Sequence, residues 1–347
     1  MSEPGAAPMA VERAIDARRE IVNDAITEEL PIIRPERLYE ASRYLLDAGG
    51  KRLRPTILLL AAEAIADTDP MAEDYRAFPA DPAPVDVMSA AVSIEIIQSF
   101  TLIHDDIMDD DDMRRGVPAV HNEYDLETAI LAGDTLYSKA FESMLETDAP
   151  ADRSVRALSE LATTCTKICE GQAFDIDFES RDAVEPDEYL DMVELKTAVL
   201  YAAAASIPAV LLGADDAVDA LYGYGLDVGR AFQIQDDLLD LTTPSEKLGK
   251  QRGSDLVEGK KTLVTLHARE HGVDVDGLVD ATDLASVDEA SMEAAVAELR
   301  DAGSIEYARQ TANDLIASGK DNLRVLPDNE ARDLLGGIAD YLVEREY

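Results

Sequence analysis

The sequence predicts an all-α protein. Apolar residues recur at three- and four-residue spacing along nearly the whole 347-residue chain, and no segment shows sustained alternation of β-branched residues. Hydrophobic residues make up 46% of the chain, which is ample for a buried core. We therefore expect a globular helical protein of one large domain or two.

Twelve helices are predicted, each from its own run of helically spaced apolar residues. In chain order they cover residues 10–28, 35–48, 53–66, 87–107, 124–146, 152–178, 187–211, 214–241, 261–271, 288–302, 305–319 and 327–343. Residues 1–9 are small, polar and acidic, which predicts a disordered tail ahead of a single all-α domain at 10–347. Residues 67–86 and 272–288 combine acidic residues with Pro or Gly and are predicted to be surface loops.

The charge of the chain excludes several classes of partner. There are 72 Asp and Glu residues against 31 Lys and Arg, a net charge of -41. Such a surface argues against nucleic acid and anionic membranes as partners, and suits the cytoplasm of a halophile that accumulates molar salt. The longest apolar stretch, 197–213, is interrupted by Ser206 and Pro208 and is shorter than the roughly 20 residues of a membrane span. We expect no stable membrane insertion.

Two aspartate-rich stretches of the form DDxxD, at 105–109 and 236–240, each follow an apolar helical run. In each, the first and last carboxylates lie on one helix face one turn apart. Two such helices facing each other would form an acidic cleft that suits Mg²⁺, which binds few carboxylates and takes further ligands from substrate phosphates. Asp110, Asp111 and Asp112 leave the third ligand of the first stretch open, and Asp109 is preferred because it lies one turn from Asp105.

In so acidic a chain most Asp pairs are solvated surface, but the rare cations gather near these two stretches. Three cations stand in 51–54, two follow the first stretch in Arg114-Arg115-Gly116, and at least four of the nine lysines lie in motif-like clusters. Lys51 and Arg54 are spaced to converge on one anion. Cys165 and Cys169 stand four apart with no clustered histidine, so we expect core thiols rather than a redox pair or a zinc site.

Together these motifs resemble the trans-isoprenyl diphosphate synthase family, in particular its short-chain archaeal geranylgeranyl type. The resemblance is carried, in order, by GGKRLRP, DDxxD with RRG, GQxxD, KT, FQxxDDxxD and the GK…D…GKKT segment between residues 49 and 262. It implies one large bundle of about 10–13 helices around a central cavity. It also implies a homodimer, about three Mg²⁺ ions, and condensation of isopentenyl diphosphate with dimethylallyl, geranyl or farnesyl diphosphate to give mainly geranylgeranyl diphosphate.

The resemblance also assigns roles to individual residues. The metal ligands would be Asp105, Asp109 and Asp236, supported by Asp106, Asp237 and Asp240. The allylic diphosphate would be held by Arg114, Lys196, Lys250 and Lys260. Isopentenyl diphosphate would be bound by Lys51, Arg54, Gln98 and Arg115. Lys196, Thr197 and Gln233 would be the catalytic residues at the reacting carbon, and Phe100 and Thr101 would form the floor that limits chain length.

Other activities share part of this pattern. Within the family, the product could instead be farnesyl diphosphate or a farnesyl and geranylgeranyl mixture. A class I terpene synthase also ionises allylic diphosphates, but its second motif usually contains Asn or Asp, Ser or Thr, and Glu, and it lacks GGKR. A head-to-head squalene or phytoene synthase would lack the isopentenyl pocket, and a non-catalytic partner subunit would have eroded aspartate motifs.

Overall fold

The computed structural model describes residues 6–181, 183–244, 252–279 and 287–344, which form fifteen α-helices and one short hairpin. The helices are α1 (Ala6–Glu29), α2 (Glu36–Asp47), α3 (Leu53–Ala66), α4 (Val87–Met108), α5 (Val120–Glu123), α6 (Leu126–Leu145), α7 (Ala151–Ser180), α8 (Pro186–Val193), α9 (Val199–Leu212), α10 (Asp215–Thr242), α11 (Ser254–Val257), α12 (Leu263–Glu270), α13 (Glu289–Asp301), α14 (Ser304–Asn322) and α15 (Glu330–Glu344). The hairpin strands are β1 (Met113–Arg114) and β2 (Val117–Pro118). The all-α prediction is confirmed.

Several boundaries and loops differ from the prediction. Helix α1 begins at Ala6, so residues 6–9 are helical rather than part of the predicted tail, and residues 1–5 lie outside the described residues. The predicted helix 187–211 is divided by a π-helical turn, Glu194–Ala198. Within the predicted surface loop 67–86, Phe78 and Val85 are fully buried and exchange backbone hydrogen bonds of 2.9 Å, so this segment belongs partly to the core.

Acidic residues begin several of the helices. Asp86, Asp125 and Asp288 immediately precede α4, α6 and α13, and each side chain accepts a hydrogen bond from the backbone N–H three residues later. A carboxylate at this position satisfies an otherwise unpaired donor and complements the positive end of the helix dipole. Part of the large negative charge therefore stabilises helix starts.

Contacts within the chain divide it into two compact units. The first unit comprises Met1–Cys165, Ala203–Tyr222 and Leu323–Gly337. The second comprises Thr166–Ala202, Gly223–Asn322 and Ile338–Tyr347. Each contains one of the two aspartate motifs.

In the first unit, α4 packs against both α3 and α6. Its apolar residues, such as Ile94 and Ile96, are fully buried, as are Leu58 and Leu60 of α3. Helix α4 and the segment Pro186–Leu212 are long and apolar enough to cross a membrane, but 72% and 83% of their most apolar windows are buried inside the protein. Such burial is typical of core helices. Cys165 is also buried, whereas Cys169 is exposed, so the expectation of a core thiol was wrong for Cys169.

A buried ion pair joins α1 to α3 in the first unit. The Arg18 Nη2 atom donates to both carboxylate oxygens of Glu63, at 2.8 and 2.5 Å, and both side chains are 1% exposed. Glu63 also accepts hydrogen bonds from the Tyr75 hydroxyl and the Met71 N–H. The segment after α3 is thus anchored to the core through one carboxylate.

We expect Arg18→Met to lower the free energy of unfolding by about 3–5 kcal/mol, because it leaves the Glu63 carboxylate buried without its cation. The matched control is Arg37→Met, which removes an exposed pair with Asp125 and should cost about 0–1 kcal/mol. Denaturant unfolding in molar KCl measures both. Equal costs for the two variants would contradict a stabilising role for the buried pair.

Candidate active site

The first aspartate motif lies at the C-terminal end of α4. Asp105 is in the last turn, and Asp109 directly follows the helix, with its N–H donating to the Asp105 carbonyl oxygen at 2.8 Å. The backbone therefore stays helical through Asp109, and the two side chains lie one turn apart on the same face. Asp105 is half-buried and Asp109 is exposed. Both carboxylates keep accessible surface on that face.

Asp106, between them, is fully buried and bound by protein groups. The Arg114 Nε atom donates to its Oδ1 atom at 2.5 Å, while Arg114 Nη2 donates to Asp111 at 2.7 Å. Burial raises the pKa of Asp106 above the ordinary value of an aspartate, although the Arg114 guanidinium partly offsets this effect. Arg114 is therefore held between two carboxylates, a pairing that the spacing of the motif did not predict.

The basic pair Arg114-Arg115 is presented by the hairpin β1–β2. Arg115 and Gly116 occupy the two central turn positions and both have positive φ, 54° and 78°. This combination is typical of a type I′ turn, which glycine adopts without steric cost. Asp112 anchors the hairpin, since its carbonyl oxygen accepts from the Ala119 N–H at 2.9 Å. Asp111 and Asp112 thus have contacts to Arg114 and the hairpin.

A cluster of cations surrounds the buried carboxylate of Glu95 on α4. Arg52 Nη1 donates to Glu95 at 2.7 Å, and Arg115 Nη2 lies 3.6 Å from the same oxygen. Arg115 also donates to the Gly49 carbonyl oxygen. Burial lowers the pKa of Arg115, and the nearby charges of Arg52 and Arg54 lower it further, while Glu95 raises it. The structure therefore brings the basic loop 49–54 and the hairpin together around one carboxylate.

Two of the predicted isopentenyl diphosphate ligands, Lys51 and Arg54, are more accessible to solvent than their neighbour Arg52. Lys51 is exposed and Arg54 is half-buried, whereas Arg52 is 3% exposed and donates to Asn23, Gly49 and Leu46 as well as to Glu95. Arg52 therefore holds the loop together. The cluster carries an excess of positive charge over the single carboxylate of Glu95, which favours an anionic ligand.

The predicted floor residues lie one turn and more before Asp105 on α4. The Phe100 ring packs edge-on against His104 at 4.9 Å and Tyr137 at 5.2 Å, measured between ring centroids. The Thr101 hydroxyl donates to the Gln98 carbonyl oxygen at 2.9 Å. Gln98, Phe100 and Thr101 are all half-buried. Phe100 is thus held in place by α6.

The second aspartate motif, on α10 in the second unit, has a similar arrangement. Asp236 is half-buried, whereas Asp237 and Asp240 are 7% and 5% exposed. Asp237 accepts from the Tyr189 hydroxyl at 2.5 Å and from Gln233 Nε2 at 3.0 Å. Burial and the nearby charge of Asp255 raise the pKa of Asp237 well above the ordinary value of an aspartate, although these two donors partly offset the effect. Asp236 is the most accessible carboxylate of the motif.

Asp240 binds the start of α11. Its two carboxylate oxygens accept from the Ser254 hydroxyl at 2.8 Å and from the Asp255 N–H at 3.2 Å. Lys260 follows, 52% exposed and within 3.4 Å of Asp255 and 3.1 Å of Glu258. Lys250 lies outside the described residues. Asp240 therefore connects the motif to the segment that carries Lys260.

Lys196 and Thr197 lie in the π-helical turn between α8 and α9. The Lys196 ammonium donates to Asp175 at 2.5 Å, and the Thr197 hydroxyl donates to Gln233 at 3.1 Å. A Cβ atom at Gly171 would lie only 2.2 Å from the backbone nitrogen of Lys196, so glycine permits the close approach of α7 to this turn. π-Helical turns are rare and are often found at functional sites.

The atoms of the two motifs that could bind a metal suit a hard cation. They are carboxylate oxygens, and no group of three or more His, Cys, Asp or Glu side chains within the described part of the chain forms a metal cage. Mg²⁺ binds through one or two carboxylates and keeps its other positions for water and phosphate. The half-buried Asp105 and Asp236 and the exposed Asp109 fit that preference.

Sequence reasoning missed Glu95 and Tyr189. Glu95 is a single acidic residue in an apolar helix, ten residues before Asp105, and that isolation was a usable signal. Tyr189 is 2% exposed and has no distinguishing pattern around it. Its partner, Asp237, is 48 residues away in sequence, so only the tertiary structure identifies it.

Comparisons with known proteins extend over most of the chain. A family model described as Polyprenyl synthetase matches residues 35–299. The chain is 72% identical to a geranylfarnesyl diphosphate synthase from Natronomonas pharaonis, over 97% of this chain and 98% of that one. It is 50% identical to a geranylgeranyl diphosphate synthase from Methanosarcina mazei, over 98% of this chain and 99% of that one.

Two solved structures extend the comparison. A geranylgeranyl pyrophosphate synthetase from Geoglobus acetivorans matches with a TM-score of 0.84 at 46% identity, covering 95% of this chain and 99% of that one. A polyprenyl synthase from Caulobacter crescentus CB15, complexed with calcium and isoprenyl diphosphate, matches with a TM-score of 0.81 at 31% identity, covering 99% of both chains. The relative with calcium shows a divalent cation together with an isoprenyl diphosphate on this fold.

Proposed function

This chain belongs to the polyprenyl synthetase family and is a prenyltransferase, and we propose that it condenses isopentenyl diphosphate head-to-tail with dimethylallyl, geranyl and farnesyl diphosphates. The main product is geranylgeranyl diphosphate, and diphosphate is released. The observation that carries this proposal is the pairing of accessible carboxylates with a separate cation cluster. Asp105 lies in the last turn of α4 and Asp109 directly follows the helix, while Lys51 and Arg54 lie near the cluster around Glu95.

We assign the following roles. Asp105, Asp109 and Asp236 bind about three Mg²⁺ ions, and Asp106, Asp237 and Asp240 support them through contacts with the protein. Arg114, Lys196, Lys250 and Lys260 hold the allylic diphosphate, and Lys51, Arg54, Gln98 and Arg115 hold isopentenyl diphosphate. Arg114 already contacts Asp106 and Asp111 through Nε and Nη2, which leaves the Nη1 donors of its fork for a phosphate oxygen.

The reaction follows from this distribution of charge. When bound, Mg²⁺ neutralises diphosphate oxygens and so favours departure of the leaving group. Lys196 and the arginine donors stabilise the departing diphosphate, and the carbon–oxygen bond breaks to leave an allylic cation. The isopentenyl double bond attacks that cation, forming the new carbon–carbon bond, and the proton lost from the isopentenyl unit passes to the released diphosphate. Thr197 and Gln233 present oxygen atoms to the cation.

The two cation sets predict separable kinetic effects. Lys51→Ala and Arg54→Ala should each raise the KM for isopentenyl diphosphate at least about tenfold, with little change in the KM for farnesyl diphosphate, since charge-assisted contacts to one substrate are lost. Lys196→Ala should instead lower kcat. The control is Arg309→Ala, which removes an exposed pair with Glu306. Equal changes in both KM values for Lys51→Ala would refute separate pockets.

A longer product is the second candidate, because a relative of 72% identity is a geranylfarnesyl diphosphate synthase. Farnesyl diphosphate, the alternative product predicted from the sequence, is shorter than this one. Geranylgeranyl diphosphate remains the proposal because the half-buried Phe100 is held in place by two rings below a small Thr101. The length distribution of products with farnesyl diphosphate as primer distinguishes the candidates.

We also propose that the enzyme is a cytoplasmic homodimer. Helix α6 carries large apolar side chains on the surface of the chain, including Leu126, Ile130, Leu131 and Leu145, which are 40–59% exposed. Leu126, Ile130 and Leu131 lie within two turns of the helix, and neighbouring exposed apolar side chains of this kind are typical of protein–protein contacts. Light scattering in molar KCl measures the mass, and Leu131→Glu should shift it from twice 37.6 kDa to 37.6 kDa.

The proposed activity is tested by incubating the enzyme with Mg²⁺, labelled isopentenyl diphosphate and one allylic primer at a time. We expect labelled prenyl diphosphates that disappear when either substrate is omitted. Hydrocarbon formed from the allylic primer alone would identify a terpene synthase. A head-to-head dimer of the primer would identify a squalene or phytoene synthase, and no product with any primer would support a non-catalytic subunit.

A further inference from the structure

Four side chains of the second unit form a continuous hydrogen-bonded chain. The Tyr189 hydroxyl donates to Asp237 Oδ2 at 2.5 Å, and Gln233 Nε2 donates to Asp237 Oδ1 at 3.0 Å. The Thr197 hydroxyl then donates to Gln233 Oε1 at 3.1 Å. The chain begins at a tyrosine on α8 and ends at a threonine in the π-helical turn.

The donors and acceptors in this chain run in one direction. Tyr189 is 2% exposed, and burial together with the charge of Asp237 raises the pKa of its hydroxyl, which therefore keeps its proton and donates. Asp237 accepts at both oxygens. The amide nitrogen of Gln233 must then face Asp237, and its oxygen must face Thr197. The hydroxyl proton of Thr197 is used in this last bond, so its lone pairs point elsewhere.

The backbone that carries Thr197 is also closely packed. A Cβ atom at Gly171 would lie 2.2 Å from the backbone nitrogen of Lys196, and one at Gly229 would lie 2.5 Å from the Cα atom of Ala198. Helix α7 therefore packs closely against Lys196, the residue before Thr197. Helix α10 packs closely against Ala198, the residue after it. With the backbone confined, the hydrogen bond to Gln233 decides the direction of the Thr197 hydroxyl.

We propose that Tyr189 is a positioning residue that orients Gln233 and, through it, Thr197, so that an oxygen lone pair of Thr197 faces the allylic cation. This inference rests on the proposed function, which places Thr197 and Gln233 at the reacting carbon. A lone pair stabilises developing positive charge, whereas a hydroxyl proton in the same place would oppose it. Tyr189 is 2% exposed and acts through Asp237 and Gln233 rather than by direct contact with a substrate.

The test is Tyr189→Phe, which removes the donor and keeps the ring. We expect kcat to fall on the order of ten- to a hundredfold, with both KM values within about twofold of the parent, because orientation rather than binding is lost. Tyr224→Phe is the matched control, since it makes the same change at a fully buried tyrosine on α10 and should leave kcat unchanged. A fall in kcat equal in both variants would overturn the proposal.

A double-mutant cycle separates positioning from a general structural effect. In a Thr197→Val background, Tyr189→Phe should lower kcat by no more than about threefold, because Thr197 is absent and only the orientation of Gln233 remains to be lost. In a Thr197→Ser background, which retains the hydroxyl, Tyr189→Phe should again lower kcat at least about tenfold. Equal losses in the Val and Ser backgrounds would refute the proposal, even if Tyr189→Phe lowers the melting temperature.

This test is distinct from that of the proposed function. The parent enzyme must first form labelled prenyl diphosphate from both substrates. If it does not, the proposed function fails and the cycle has no signal. If it does, and the Tyr189 and Thr197 effects multiply, the positioning role fails while the proposed function stands.

Discussion

Asp105→Ala is expected to lower kcat roughly a thousandfold, because the charge of the departing diphosphate loses one of the groups that recruit its counterions. Asp109→Ala and Asp236→Ala should have effects of the same order. Steady-state assays with labelled isopentenyl diphosphate and saturating farnesyl diphosphate measure these losses. Raising the Mg²⁺ concentration should partly restore Asp105→Ala, because a lost ligand weakens metal affinity.

The control for these variants is Asp110→Asn. Asp110 is exposed, follows the same motif and has a φ of 54°, a conformation that Asn tolerates better than Ala. It removes the same charge from the same end of α4 and should leave kcat within about threefold of the parent, because its side chain is exposed and is not one of the assigned metal ligands. Asp111 and Asp112 are unsuitable controls, since their carboxylates accept hydrogen bonds from Arg114 and Asn122. A loss for Asp110→Asn as large as that for Asp105→Ala would show that the metal ligands are wrongly assigned.

Phe100→Ala is expected to shift the main product from geranylgeranyl diphosphate to longer chains. Phe100 lies five residues before Asp105, about 7.5 Å along α4, where a growing tail that starts at the metal site would reach it. Removing the ring takes away the group that His104 and Tyr137 hold in place. Thr101→Phe should shorten the products to farnesyl diphosphate. Chromatography of the dephosphorylated alcohols measures both distributions.

Phe141→Ala is the matched control for Phe100→Ala. Phe141 lies on α6 and packs at a tilt against Tyr137, with the ring centroids 5.1 Å apart, at the next position in the same row of rings. It should leave product length unchanged if Phe100 alone is the floor. Unchanged chain length in an active, folded Phe100→Ala enzyme would place the floor elsewhere, and the proposed product would lose its structural basis.

Features set by neighbours in sequence were predictable. The helical periodicity predicted the long helices to within a few residues at most ends, because each apolar face repeats every turn. The four-residue spacing of Asp105 and Asp109 predicted a shared face for the same reason. The hairpin at 113–118 was missed because two-residue strands are too short to show a period.

The sequence by itself determined the fold class, the acidic surface and the residue types at both aspartate motifs, since these depend on composition and local spacing. Only the tertiary structure decided which carboxylates stay accessible. Asp106 and Asp237 have the same local motif position, yet one is bound by Arg114 and the other by Tyr189. The close approach of α7 at Gly171 to the π-helical turn at Lys196 likewise appears only in the tertiary structure. Such pairings join residues that are distant in sequence, so burial and hydrogen bonding, rather than spacing, select them.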